Sequence, residues 1–191
     1  MLAARFLLRK VSAMFVSEKF TTAPTEGYDE DVYAVYRLMD ELGIAYERVD
    51  NDPAGPMEDC DIVSEHLGSE IRKSSFIHNQ DKTQYYLVIM PSHKAFNTKA
   101  FVEKVGCSHP SFASEEDMLA MLKTTPGTAS IPCLMADTEN KVQLIIDREI
   151  ADDEWFASNA RDNRSHYRIK TNDLLTKFCK AINHRAKLVR M

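Results

Sequence analysis

Two runs rich in β-branched and aromatic residues, KSSFIH and TQYYLVIM, flank the short stretch NQDK between residues 73 and 90. So short a connection joins antiparallel neighbours, so the chain contains a β-hairpin. A hairpin argues against an all-parallel, doubly wound sheet. CLMAD, the turn TENK and VQLIID, residues 133–147, predict a second hairpin. IAYERV and the residues around His166 to Ile169 read as further strands, with a polar loop from Ala157 to Arg164 before the latter.

Helical periodicity fills the gaps. Val32, Val35, Tyr36, Met39 and Leu42 recur at helical spacing, and Gly43 follows as a cap. A second helix runs from Met57 to Leu67, with Glu58 and Asp59 in its first turn and Gly68 after it. A third, Thr98 to Val105, is expected to bury Phe101 and Val105. Ser114 and Asp117 begin a fourth. A last helix starts at Thr171 and places Leu174, Leu175, Phe178 and Ile182 on one face. Asp152, Asp153 and Glu154 read as a solvated helix start. The expected fold is a single mixed α/β domain over residues 25–185, with a basic tail over 186–191.

Residues 1–24 read as an N-terminal extension. Its first seventeen residues hold Arg5, Arg9 and Lys10 and no acid. Such a segment resembles a mitochondrial transit peptide. A helical extension, or sequence upstream of a start at Met14, fits it equally. The four cysteines, Cys60, Cys107, Cys133 and Cys179, match no zinc or disulfide spacing and fit a reducing compartment. The expected location is cytoplasmic, or mitochondrial if the extension is a transit peptide. No apolar run is long enough to span a bilayer, so no membrane partner is expected.

The net charge of −5 is unevenly spread. From Arg161 to Met191 there are nine Lys/Arg against two acids. This can be a phosphate-contacting patch or a solvated basic face. There is no nucleophile elbow, P-loop or GxGxxG, and no motif for a metal or an organic cofactor. Ser165 and His166 are strand neighbours that point to opposite faces, so they are not a nucleophile–base pair.

Between the fourth helix and the second hairpin lies TTPGTASIPCL, residues 124–134, a junction of small residues and two prolines. With four other segments it carries a resemblance. LMDELGIAYERVDNDP, KSSFIHNQDKTQYYLVIMPSHKAFNTKAF, HPSFASEEDMLAMLKTTPGTAS, KVQLIIDREIADDEWF and RIKTNDLLTKF occur in order across residues 28–180. Together they resemble the YbaK/prolyl-tRNA synthetase-associated editing domains. The similarity is greatest to the free-standing members, trans-editing deacylases of mischarged tRNA of the alanyl-tRNA(Pro) type.

The resemblance implies a curved, mostly antiparallel mixed sheet surrounded by helices. It also implies hydrolysis of an aminoacyl ester by a positioned water, an oxyanion site and a bound CCA end, without a Ser-His-Asp triad. Lys73 matches the family's signature lysine, and Gly127 to Ser130 match its substrate loop. The implied catalytic positions are Lys73, Gly127 and Ser130. The implied substrate-binding positions are Thr128, Ala129, Pro132, Cys133, Asn159, Asn163 and Ser165. Arg164, Arg168 and Lys180 are the expected tRNA contacts. The implied partners are the acceptor end of a mischarged tRNA and an aminoacyl-tRNA synthetase.

The chain departs from the family in several places. The loop continues Ile131-Pro132-Cys133 where the family has Pro-Leu-Gly or Val-Leu-Gly. Asn159-Ala160-Arg161-Asp162-Asn163 stands for His-Pro-x-x-Asn, His166 for Thr or Ser, and Asn51 for His. These departures motivate a second reading, a tRNA- or synthetase-binding module without turnover. A third is a small-molecule hydrolase or amino-acid sensor on the same scaffold.

Overall fold

The computed structural model describes residues 14–191. The basic segment of the N-terminal extension, with Arg5, Arg9 and Lys10, lies outside these residues. Residues 14–24 are laid along the first strand. Phe20 exchanges backbone hydrogen bonds with Arg48, and Ser17 N–H donates to the Asp50 carbonyl. That edge is therefore covered.

Helix α1 (Glu30–Glu41) buries Val32, Val35, Tyr36 and Met39, the stripe expected from its period. Strand β1 (Tyr46–Asp50) leads to α2 (Met57–Leu67), which ends at Gly68 with φ +67°. Strands β2 (Lys73–His78) and β3 (Tyr85–Met90) form the expected hairpin, with Lys73 opposite Met90. The Asn79 side-chain oxygen accepts from Thr83 N–H and Gln84 N–H and closes its turn. Helix α3 (Thr98–Val105) buries Phe101, while Val105 is only half-buried. The short β4 (Ser111–Phe112) precedes α4 (Glu115–Leu122), whose Ser114–Asp117 capping box satisfies two end amides.

The second predicted hairpin does not form. Ile131–Ala136 is a 3₁₀ helix with Pro132 in its first turn, where the ring's fixed φ suits a helical start. Strand β5 (Val142–Asp147) then pairs in parallel with β3. The turn between them is organised by Asp137, whose carboxylate accepts from Lys141 N–H and Val142 N–H. The acidic run lies at the end of α5 (Arg148–Asp152), not at a helix start. The predicted polar loop begins instead as strand β6 (Trp155–Asn159), which turns at residues 160–164 into β7 (Ser165–Lys170). A C-terminal helix follows, as Thr171–Asp173, a π-helical stretch Leu174–Phe178, and Cys179–Ala181. Lys187–Val189, read as tail, forms β8 beside β5.

The strands make two sheets, β1-β7-β6 and β4-β2-β3-β5-β8. Only β3–β5 and β5–β8 are parallel, so the mixed and mostly antiparallel character holds. Alternation sorts the larger sheet's side chains. Phe76, Leu87, Leu144 and Ile146 face the main core with α1, α4 and the C-terminal helix. Ile77, Tyr86, Val88 and Ile145 pack on the other face beside Phe101 of α3. No helix among the described residues is long and apolar enough to cross a membrane. The four cysteines are free thiols.

Asp137 also accepts from His184 Nε2 at 2.9 Å, tying the turn before β5 to the chain after the C-terminal helix. Burial opposes ionisation of Asp137, but His184 and the two amides outweigh it and hold the carboxyl below its ordinary range. Asp137→Ala leaves the Val142 amide and the His184 imidazole buried without their acceptor. It is expected to cost about 3–5 kcal/mol, measured as a lower urea midpoint with an unchanged m-value.

Candidate active site

Among the described residues, backbone pairing joins the two sheets at one place. Ile71, just before β2, makes a parallel bridge to Ala157 in the middle of β6, and Arg72 N–H donates to the Ala157 carbonyl at 3.0 Å. Side chains two positions on emerge on the same face. Lys73 therefore projects from one sheet beside Asn159 from the other. The ladder stops after that single bridge, and a cavity of about 340 Å³ occupies the gap.

The cavity gathers Lys73, Gly127, Ala129 and Asn159 from the sequence-predicted set. Ser74, Ser75 and the apolar Met57, Phe76 and Met118 complete much of its wall, and the 65 % exposed Phe112 stands at its edge. No Asp or Glu lines it. Lys73 is half-buried and takes part in no ion pair or hydrogen bond among the described residues. Its neighbour Arg72 also reaches the cavity but is committed to Glu70, Asp153 and the Trp155 carbonyl. Lys73 is thus the free cation of the wall.

The loop is held from below. Ser74 Oγ donates to the Ala129 carbonyl at 2.5 Å. Gly127 has φ +89°, a left-handed conformation that favours glycine, while a Cβ there would meet nothing within 4 Å. Its requirement is conformational, not steric. Among the described residues no hydrogen bond uses the N–H of Gly127 or of Ala129, so two residues of the cavity wall carry unclaimed backbone donors.

The other predicted positions lie elsewhere. Thr128 Oγ1 bonds Thr124 Oγ1 at 2.8 Å and the Thr125 carbonyl at 2.9 Å, which braces the loop from behind. Ser130, Pro132 and Cys133 are buried in and before the 3₁₀ helix, with Ser130 Oγ 3.6 Å from Cys133 Sγ. Asn163 donates to the Ala54 carbonyl at 3.0 Å and pins the turn after β1. Ser165 is fully buried and shares a 2.8 Å hydrogen bond with Tyr36 OH. None of these lines the cavity.

Two of the three expected tRNA contacts are neutralised locally. Arg164 pairs with Asp162 at 2.6 Å. Arg168 pairs with Glu47 at 2.8 Å and stacks over Trp155 with its guanidinium carbon 4.5 Å from the ring centre. Lys180 is exposed at the end of the C-terminal helix, without an ion pair among the described residues.

A residue absent from the predicted set is His166. It faces Asn159 across the β6–β7 ladder and lines the cavity. The alternation that sends Ser165 into the core sends His166 the other way. His166 Nδ1 lies 2.8 Å from Asn51 Oδ1. Asn51 in turn donates its amide N–H groups to the Asp52 and Asn163 carbonyls at 2.7 and 2.8 Å. Carbonyls only accept, so the orientation of Asn51 is set and Nδ1 of His166 carries the proton. Burial lowers the His166 pKa from 6.5 to about 4, against a weak opposing pull from Asp162.

A folded-state pKa below the unfolded one means the unfolded chain binds the extra proton between them. Stability from neutral burial of His166 is therefore present above about pH 6.5 and lost as pH falls to about 4. Within that window wild type should lose about 1.4 kcal/mol per pH unit relative to His166→Gln, measured by urea unfolding at half-unit pH steps.

The aminoacyl-tRNA editing domain matches residues 55–177 of this chain. The prolyl-tRNA editing protein ProX of Acetoanaerobium sticklandii is 27 % identical over 141 residues, which cover 74 % of this chain and 86 % of that protein. Two solved structures have the same fold, each at TM-score 0.63. One, of a hypothetical protein, is 14 % identical and covers 81 % of this chain and 97 % of its own. The other, of a candidate trans-editing enzyme for prolyl tRNA synthetase, is 12 % identical and covers 86 % and 99 %. The match over residues 55–177 spans the bridge, Lys73, the small-residue loop, Asn159 and His166, and the chain belongs to the aminoacyl-tRNA editing-domain family.

Proposed function

We propose that the protein is a trans-acting deacylase that hydrolyses the ester of a mischarged aminoacyl-tRNA, of the alanyl-tRNA(Pro) type. The observation that carries this reading is the juxtaposition of the unpaired Lys73 with the unclaimed Gly127 and Ala129 amides in one cavity. An aminoacyl ester is already activated, so hydrolysis needs position and charge stabilisation more than a strong nucleophile. The Lys73 ammonium fits the terminal phosphate or ribose and fixes the ester's place. The two amides fit the oxygen that gains charge as water adds to the ester carbonyl. Met57, Phe76, Met118 and Ala129 supply an apolar wall that favours a small side chain. One methylene in such a wall is worth only about 1–3 kcal/mol, the difficulty that makes a second, hydrolytic sieve useful.

The binding-module reading draws on departures at Cys133, Ala160 and Asn159. Cys133 and Ala160 are fully buried and line no part of the cavity. Those two changes leave the wall untouched, whereas Asn159 lines it, so the two readings are separated by turnover.

Wild type is expected to release alanine from alanyl-tRNA(Pro) faster than other amino acids from a panel of mischarged tRNAs, and to leave prolyl-tRNA(Pro) intact. Lys73→Ala should lower kcat/KM by about 10²–10³-fold. Saturable tRNA binding without hydrolysis of any substrate would establish the binding module instead. Equal rates for the two proteins would remove Lys73 from the mechanism.

A further inference from the structure

The cavity holds free donors at Lys73 and at the loop amides, yet an aminoacyl ester also brings N–H groups of its own on the α-amino group. These need an acceptor, and no carboxylate lines the wall. The His166 ring supplies one. Its Nδ1 is spent as donor to Asn51 Oδ1, so the lone pair resides on Nε2. No hydrogen bond among the described residues uses Nε2, and it is not among the sealed, unpartnered polar atoms. It therefore keeps access to the cavity that His166 lines. The ring itself is held from both sides, by Asn51 at Nδ1 and by its place in the middle strand of β1-β7-β6. Asn159 stands opposite with its carbonyl oxygen taken by Arg161 N–H at 3.0 Å. Asn159 thus offers N–H donors beside a partly occupied oxygen, whereas His166 Nε2 is an acceptor only.

We infer that His166 Nε2 accepts a hydrogen bond from the α-amino group of the bound aminoacyl ester and positions the ester carbonyl between Lys73 and the loop amides. His166 is a positioning residue, and the inference rests on the deacylase reading. It makes the site selective for esters that carry a hydrogen-bond donor on the α-carbon. A neutral ring suits the task, since an imidazolium would present a second donor and repel the amine. Burial keeps His166 neutral down to about pH 4.

The test compares tRNA carrying an alanyl ester with the same tRNA carrying a propionyl ester, which lacks only the amino group. Wild type should hydrolyse the alanyl ester with a kcat/KM about 10- to 100-fold higher than the propionyl ester, corrected for each ester's spontaneous rate. His166→Leu and His166→Phe remove the acceptor and should bring the two substrates to the same rate, by lowering the alanyl value. His166→Gln keeps a donor for Asn51 and an acceptor for the amine, and should restore part of the ratio. A purely structural role would lower both substrates together and leave the ratio unchanged. A wild-type ratio near one, or a ratio that survives in folded His166→Leu or His166→Phe, overturns the inference while leaving the deacylase reading standing. Hydrolysis of neither ester overturns both. The wild-type ratio needs no variant, so it decides even if the substitutions prevent folding.

Discussion

The single parallel bridge between Ile71 and Ala157 is the constraint from which the site follows. It ties two sheets that share no other strand pairing. Its geometry is reinforced by Arg72, whose almost fully buried guanidinium binds Glu70, Asp153 and the Trp155 carbonyl. Such a cation is tolerable in the interior because two carboxylates and a carbonyl meet its terminal nitrogens, although its Nε–H stays unpartnered among the described residues. Beyond the bridge the partners separate. Strand β2 continues with β3 and β4, while β6 continues with β7. The wedge that opens is the cavity, and the first side chains on its two walls are Lys73 and Asn159. The free cation is thus placed by backbone pairing two residues before it, not by contacts of its own.

Helices and the first hairpin were legible because their signals are local. The α1 stripe, the Ser114–Asp117 cap and the turn at Asn79 each depend on a few neighbouring residues. The second hairpin failed for a reason of the same kind turned round. CLMAD has strand-like composition, but Pro132 opens a helical turn, and the partner that β5 finds is β3, where Val142 pairs with the distant Tyr85. Periodicity carries no information on which strand another will join. Strand β6 was hidden because Ser158 and Asn159 are polar yet buried, so its polar half reads as loop. The basic C-terminal portion was legible as charge, but sequence could not show that Arg161, Arg164, Arg168, Lys170 and Lys177 each face an acid.

Within the loop, adjacency in sequence was a poor guide to shared surroundings. Gly127 and Ala129 face the cavity, while Thr128 between them turns to Thr124 and Thr125. The chain then enters the 3₁₀ helix, which carries Ser130, Pro132 and Cys133 into the interior. There the Pro132 and Cys133 carbonyls lie 3.4 and 3.5 Å from Arg161, which also reaches Asp31. The IPC departure belongs to this buried clamp and not to the cavity wall.

Two of the departures, Asn159 and His166, line the cavity, and a third, Asn51, stands behind His166. Asn51 and His166 are hydrogen-bonded to each other, and His166 lies directly across from Asn159. The resemblance implies a histidine at position 51 and a threonine or serine at 166, where this chain has Asn51 and His166. In a buried pair such an exchange is constrained by donor and acceptor count. Asn51 uses two N–H groups on carbonyls and needs a donor for its oxygen, and the imidazole N–H supplies it. Threonine at 166, with a shorter reach, would leave that oxygen unmet or draw in water. An apolar residue at 51 would orphan the buried ring N–H, at about 1–3 kcal/mol, whereas the Asn163 carbonyl would still accept from Ala54 N–H. The Asn51–His166 pair meets its own donor and acceptor count and places an ordered polar ring on the cavity wall that also holds Asn159.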